Sequence, residues 1–202
     1  MEVTSIYTDL NKQVTGYMLN ATLDSGNREL IRVLQQQCID AFGTVIYPLE
    51  LSALHITLMD WVAPLVEYGQ DKDALFISLL PQYDSVFRQL TDGLGPIRVV
   101  FDTISVSSGA IFLIGHDNGQ FQAIRDDFTR RIHLISGTKQ PPLIIHTSIM
   151  RFTEQIDIKL IQYFASKLSL NFTQDVNEFR LVNEKKIPML EYDLVKTYTL
   201  KQ

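Results

Sequence analysis

Two apolar segments, residues 52–62 (SALHITLMDWV) and 143–152 (LIIHTSIMRF), each carry one histidine near the middle and a hydroxyl residue two positions later. Both read as buried strands, rich in β-formers and almost free of charge. Each is reached by the same route: a strand, an amphipathic helix that ends in glycine, and a loop. The helix stops at Gly43, 12 residues before His55, and at Gly137, 9 residues before His146. A chain that repeats this order folds most simply as two related lobes. The expectation is one bilobal domain over 1–202, its pseudo-symmetric halves dividing near residue 93.

The remaining elements follow from periodicity and breakers. Residues 14–23 alternate as a strand and close at the turn signal Asp24-Ser25-Gly26-Asn27. Leu30, Ile31, Leu34, Cys38, Ile39 and Phe42 recur at helical steps. Residues 72–90 are helical with a kink or break expected at Pro81. Residues 97–106 and 110–115 form a hairpin around Ser107-Ser108-Gly109. Phe121, Ile124, Phe128, Ile132 and Ile135 form a helical stripe ended by Gly137, and Thr153 is placed to cap a helix bearing Ile156, Leu160, Phe164 and Leu168. Residues 179–182 and 194–200 are closing strands, with Glu184-Lys185-Lys186 as a loop between them.

Composition narrows the partners. The chain carries 18 Lys and Arg against 23 Asp and Glu, a net charge of −5, so it repels a long polyanion on average. Any nucleic-acid substrate is a small nucleotide or a terminus held at one local site. Cys38 is the only cysteine, which removes internal disulfides and cysteine zinc sites. No apolar run approaches the length of a membrane span, and the first ten residues lack a signal-peptide core. A cytoplasmic protein without membrane attachment is expected.

On a strand, residues two apart share a face. The imidazoles of His55 and His146 therefore project with the hydroxyls of Thr57 and Ser148. If the two strands lie side by side, four groups converge. One neutral histidine can take a proton from an attacking hydroxyl while the other, charged, gives one to a leaving oxygen. Thr57 and Ser148 can donate to the non-bridging oxygens of a phosphate, and Arg151 can hold one, although strict alternation puts Arg151 opposite His146.

With these motifs, His55-Ile56-Thr57 and His146-Thr147-Ser148, and an arginine five positions after the second histidine, the sequence resembles the 2H phosphoesterase superfamily, which includes 2′,5′ RNA ligase-like proteins and cyclic nucleotide phosphodiesterases. The resemblance runs in element order from the strand at residue 14 to the strand at Tyr198. It implies an α+β bilobal fold with antiparallel sheets facing a central cleft and helices outside. It also implies metal-independent, cofactor-free chemistry on 2′,3′-cyclic phosphates, 2′–5′ linkages or related nucleotide esters. Two features depart from the family pattern: Ser148 stands where threonine is commoner, and Pro141-Pro142 precede the second strand. The competing reading is a nucleotide-binding module that uses the same cleft without turnover.

Other residues carry less. Trp61 and Tyr47 flank the first motif and could stack on a base. His116 and His133 read as exposed, and Lys185 and Lys186 as a solvated loop. Asp60 is the only nearby third ligand for a metal, and strict alternation places it on the opposite strand face from His55, so no metal site is expected. Walker loops, dinucleotide fingerprints and nucleophile elbows are missing from the sequence.

Overall fold

The computed structural model describes residues 2–201. β1 (Gln13–Thr22) leads to Asp24, whose carboxylate accepts the Asn27 N–H and caps α1 (Ser25–Phe42). Gly43, with φ 58°, ends that helix where a side chain would be strained. A short 3-10 turn, β2 (Ile46–Pro48) and a second 3-10 turn (Leu51–Ala53) then deliver the chain to β3 (His55–Val62). The rest is α2 (Lys72–Thr91), β4 (Ile97–Val106), β5 (Ile111–His116), α3 (Gln120–Arg131), β6 (Ile145–Phe152), α4 (Ile158–Ala165), β7 (Phe172–Val176), β8 (Glu178–Lys186) and β9 (Glu191–Thr199).

Four local expectations need correction. Pro81 neither splits nor ends α2. It lies on the exposed face, and the carbonyl its ring frees belongs to Ile77, itself 67% exposed, so water can serve it. The stripe through Ile135 is helical only to Arg131, because the chain turns extended at Ile132 while keeping that side chain buried. Thr153 caps nothing: its hydroxyl donates to the Thr44 carbonyl, and Asp157 caps α4. Glu184, Lys185 and Lys186 are strand, not loop, since Glu184 faces inward and the turn falls beyond Lys186. The short β2 and β7 carry too little pattern to stand out in the sequence.

The strands form two antiparallel sheets, giving the expected α+β bilobal architecture. The first has the order β3-β1-β8-β9 and the second β2-β6-β5-β4-β7. β3 is an edge of its sheet and runs against β6 of the other, which brings the two histidine strands together. The helices cross over. α3, from the second half of the chain, packs with α2 on the first sheet, whereas α1, from the first half, packs on β2, β6 and β7 of the second. β8 and β9 likewise return from the C-terminal end to complete the first sheet, so both sheets draw strands from both sides of residue 93.

The core between the first sheet and its helices is aromatic. Trp61 stacks with Phe76 and Phe128 and meets Tyr83 and Phe87 edge-on. No helix among the described residues is long and apolar enough to cross a membrane.

Candidate active site

His55, Thr57, His146, Ser148 and Arg151 line one enclosed cavity of about 110 Å³, with Leu49, Ala53 and Pro188 completing its wall. All five residues that the sequence singles out for catalysis or phosphate binding are brought together. They come from β3 and β6 alone, and the alternation of each strand sets imidazole and hydroxyl on one face while Ile56 and Thr147 are buried on the other.

Arg151 reaches that face through a β-bulge. Ser148 pairs with Phe112 but Met150 pairs with Ile111, so Ile149 is an extra residue. Ile149 and Met150 both point into the core, and the strand resumes with its alternation inverted, turning Arg151 toward the cavity. β3 carries the matching irregularity: Thr57 pairs with Asn20 and Met59 with Leu19, leaving Leu58 extra. In both strands the extra residue follows the histidine by three positions. The strict alternation that separates Asp60 from His55 therefore does not hold. Asp60 stands at the position equivalent to Arg151, paired with Met18 on the cleft side of the sheet.

The electrostatics are asymmetric. Burial pushes His55 down to about 4, with the charges of Arg180, His146 and Arg151 acting the same way and the Ala53 carbonyl opposing them. His55 Nδ1 sits 2.7 Å from that carbonyl, which makes Nδ1 the protonated nitrogen and leaves Nε2 as the free one. Burial likewise lowers His146, helped by Arg125 and Arg151. Its Nδ1 has no hydrogen-bond partner, although the Ile144 carbonyl lies on that side and favours the charged form. Arg151 donates to the Gly109 carbonyl at 3.3 Å, lies over the Tyr7 ring at 5.1 Å, and keeps its Nε–H unused. The first sheet adds a second arginine. Arg180 on β8 donates to Asn20 Oδ1 at 3.2 Å and lies over the Tyr192 ring at 5.3 Å, close enough to depress His55. Nothing in the sequence around Arg180 marks it, because only sheet pairing brings it level with Thr57 across Asn20.

Trp61 is wholly buried in the aromatic core and is not available to stack on a base. The bulge at Leu58 inverts the alternation that would have set it on the face of His55, and so turns it to the core side. Tyr47 is half-buried, packed against the core on β2 opposite Arg151, and does not line the cavity. The aromatic ring beside the second motif is Phe112, half-buried, paired with Ser148 and edge-on to His146 at 5.8 Å. Phe112 escapes sequence reasoning because its strand carries no motif. His116 and His133 are exposed.

Beyond the cavity the cleft face of the first sheet turns acidic. Asp60 is raised to about 6 and Glu184 to about 7, both chiefly by burial, and the charge of Asp60 adds to the second shift. Glu184 accepts the Met189 N–H at 2.6 Å and so holds the turn that carries Pro188 against the cavity. Among the described residues no three His, Cys, Asp or Glu side chains are grouped to hold a metal ion.

No family model and no curated protein matches the chain. Solved structures do. A crystal structure of a phosphoesterase shares 16% identity with a TM-score of 0.63 over 93% of this chain and 99% of that one. E. coli LigT complexed with 3′-AMP shares 17% identity with a TM-score of 0.62, over 94% of this chain and all 100% of that one. The protein TT0787 of Thermus thermophilus shares 14% identity with a TM-score of 0.61, over 92% and 97%. The MHV ns2 PDE domain shares 16% with a TM-score of 0.54, over 84% and 98%. At such identities the likeness is one of fold, shared with that phosphoesterase, LigT and the MHV ns2 PDE domain.

Proposed function

We propose that this chain is a metal-independent phosphodiesterase acting on 2′,3′-cyclic phosphates, 2′–5′ linkages or related small nucleotide esters through two-histidine acid–base catalysis. The observation that carries the reading is the single cavity shared by His55, Thr57, His146, Ser148 and Arg151. The groups form a complete proton circuit. One imidazole takes the proton of an attacking water as its oxygen bonds to phosphorus. The other, protonated, gives a proton to the ribose oxygen as the old phosphorus–oxygen bond breaks. The Thr57 and Ser148 hydroxyls and the Arg151 guanidinium face the non-bridging oxygens, where charge builds.

The cavity has room for a phosphate group and not for a whole nucleotide. The nucleoside therefore lies in the open cleft, against Phe112, with Arg180 as a second cation for a substrate bearing more than one phosphate. Depressed histidines suit this order of events. The anion that enters offsets the arginine charges and lets one imidazole take up its proton only when substrate is present.

The test is a panel of 2′,3′-cyclic nucleotides, 2′–5′ and 3′–5′ dinucleotides and cyclic dinucleotides, with products resolved by chromatography. Turnover of at least one is expected, unchanged by chelator. His55→Ala and His146→Ala should each lower the rate by about three decades, as loss of acid–base catalysis does. Full activity in either variant, or inactivation by chelator, refutes the mechanism. Binding of a nucleotide with no turnover anywhere on the panel supports a nucleotide-binding module instead.

A further inference from the structure

Arg125 is 1% exposed, in the middle of α3, and no carboxylate among the described residues forms an ion pair with it. Its guanidinium is spent on backbone. Nε donates to the Leu58 carbonyl at 3.0 Å, Nη2 to Thr57 at 2.9 Å and Nη1 to Ile144 at 3.3 Å. Successive carbonyls of a regular strand point to opposite sides. Thr57 and Leu58 reach the same guanidinium because the bulge at Leu58 turns one of them. The third carbonyl belongs to the other histidine strand, immediately before it begins, so one side chain joins the backbone of both.

The other half of the chain has a counterpart that sharpens what is unusual here. Gln35 of α1, 5% exposed, donates to Ile149 at 2.9 Å and to Leu49 at 2.8 Å. Ile149 and Leu58 are the two bulge residues. Each bulge is thus held by a buried side chain from the helix that crosses over from the opposite half. A neutral amide suffices for one. The other uses a cation, which is costlier to take out of water than an amide, and whose three nitrogens reach a third carbonyl.

That third carbonyl is the equivalent of Ala53 O, two residues before the histidine in each strand. Ala53 O is free to receive the Nδ1–H of His55, whereas Ile144 O is occupied by Arg125 and His146 Nδ1 is left unpartnered. We propose that Arg125 is a positioning residue that ties the two histidine strands together and makes their imidazoles unequal. His55 carries its proton on Nδ1 and offers the Nε2 lone pair to the cavity. His146, whose Nδ1 makes no hydrogen bond while Arg125 donates to the Ile144 carbonyl, carries its proton on Nε2 and offers an N–H. The inequality suits His55 to take the proton of the attacking nucleophile, and His146 to give one from Nε2 once the entering phosphate has let it take up a proton. Its catalytic meaning rests on the phosphodiesterase reading, but the tautomers do not. The charged groups that act on the pair are Arg125 from α3 on His146, Arg151 from β6 on both, and Arg180 from β8 with the His146 imidazole on His55.

The test is ring-nitrogen NMR of the labelled full chain, whose four histidines are few enough to assign, with exposed His116 and His133 as internal references. In the wild type at about pH 7.5, where an ordinary histidine is mostly neutral, His55 should show an unprotonated Nε2 and His146 an unprotonated Nδ1. Arg125→Gln, which cannot span three carbonyls, should convert His146 to the Nδ1–H tautomer and raise its titration midpoint. It should also lower kcat about tenfold to a hundredfold with KM within about threefold, and move the alkaline limb of the kcat profile to higher pH. Arg125→Lys keeps the charge and should restore part of both effects. A wild-type His146 already in the Nδ1–H form overturns the proposal without any variant. So does an Arg125→Gln protein whose tautomers match the wild type, even if its rate falls. If the wild type shows the expected tautomers but turns over nothing on the panel, the placement of Arg125 stands and the enzymatic reading fails.

Discussion

His55 and Glu184 occupy opposite ends of the same cleft face and respond to pH with opposite signs. His55 falls from an ordinary midpoint of 6.5 to about 4, so between these values the unfolded chain holds more protons than the folded one, and stability is lost as pH falls. Glu184 rises from 4.5 to about 7, so in its window the folded chain holds more protons, and stability is lost as pH rises. Glu184→Gln keeps an oxygen for the Met189 N–H and removes the ionisation. It should leave stability unchanged near pH 4 and raise it near pH 8 by an amount on the order of 3 kcal/mol, seen as a higher melting temperature there. Thermal melts of both proteins across that range check this. A uniform shift at all pH values would place the effect in packing instead. Beside such groups the Trp61 indole is silent: it contributes apolar area to the core, while Phe112 lies edge-on to His146.

At the scale of the element, the histidine strands are bulged strands, and the bulge is what makes the site. Without the extra Ile149 the Arg151 side chain belongs to the core face, where nothing could neutralise it. Gln35→Leu leaves the Ile149 and Leu49 carbonyls without their side-chain donor, at a cost of roughly 2 kcal/mol or more. The Arg151 guanidinium, two residues beyond Ile149, should lose its fixed place. The expected result is a lower urea midpoint together with a raised KM. A raised KM alone would disconnect the amide from the bulge. The imidazole and hydroxyl pairs were legible in the sequence because they need only the period of two, which two apolar runs announce. The face that Arg151 and Asp60 present was not, because a bulge carries no local signature in β3 or β6 and shows itself only in the partner's register. Pro81 misleads for a related reason: the cost of a helical proline depends on whether the freed carbonyl meets water or protein, and exposure is a property of the packed molecule. Gln35 and Arg125 look like ordinary polar residues of amphipathic helices until a strand from the other half runs beneath them.

At the scale of the whole molecule, each sheet is built with material from both ends of the chain. β1 is central in the first sheet and is flanked by β3 and by β8, a partner more than 150 residues away in sequence. Co-expressed fragments 1–93 and 94–202 should associate and regain a cooperative melt, while neither fragment alone should show one. A cooperative transition in either isolated fragment would show that a half carries its own core. The interlacing also fixes a timetable. A ribosome working from the N-terminus exposes β1 and β3 long before β8 exists to cover the other edge of β1, and contacts that distant close slowly. The His55 imidazole of β3 is therefore among the first parts of the cavity to be synthesised and among the last to be held in place. A nascent chain stalled before residue 178 would present an open sheet edge to every other chain around it.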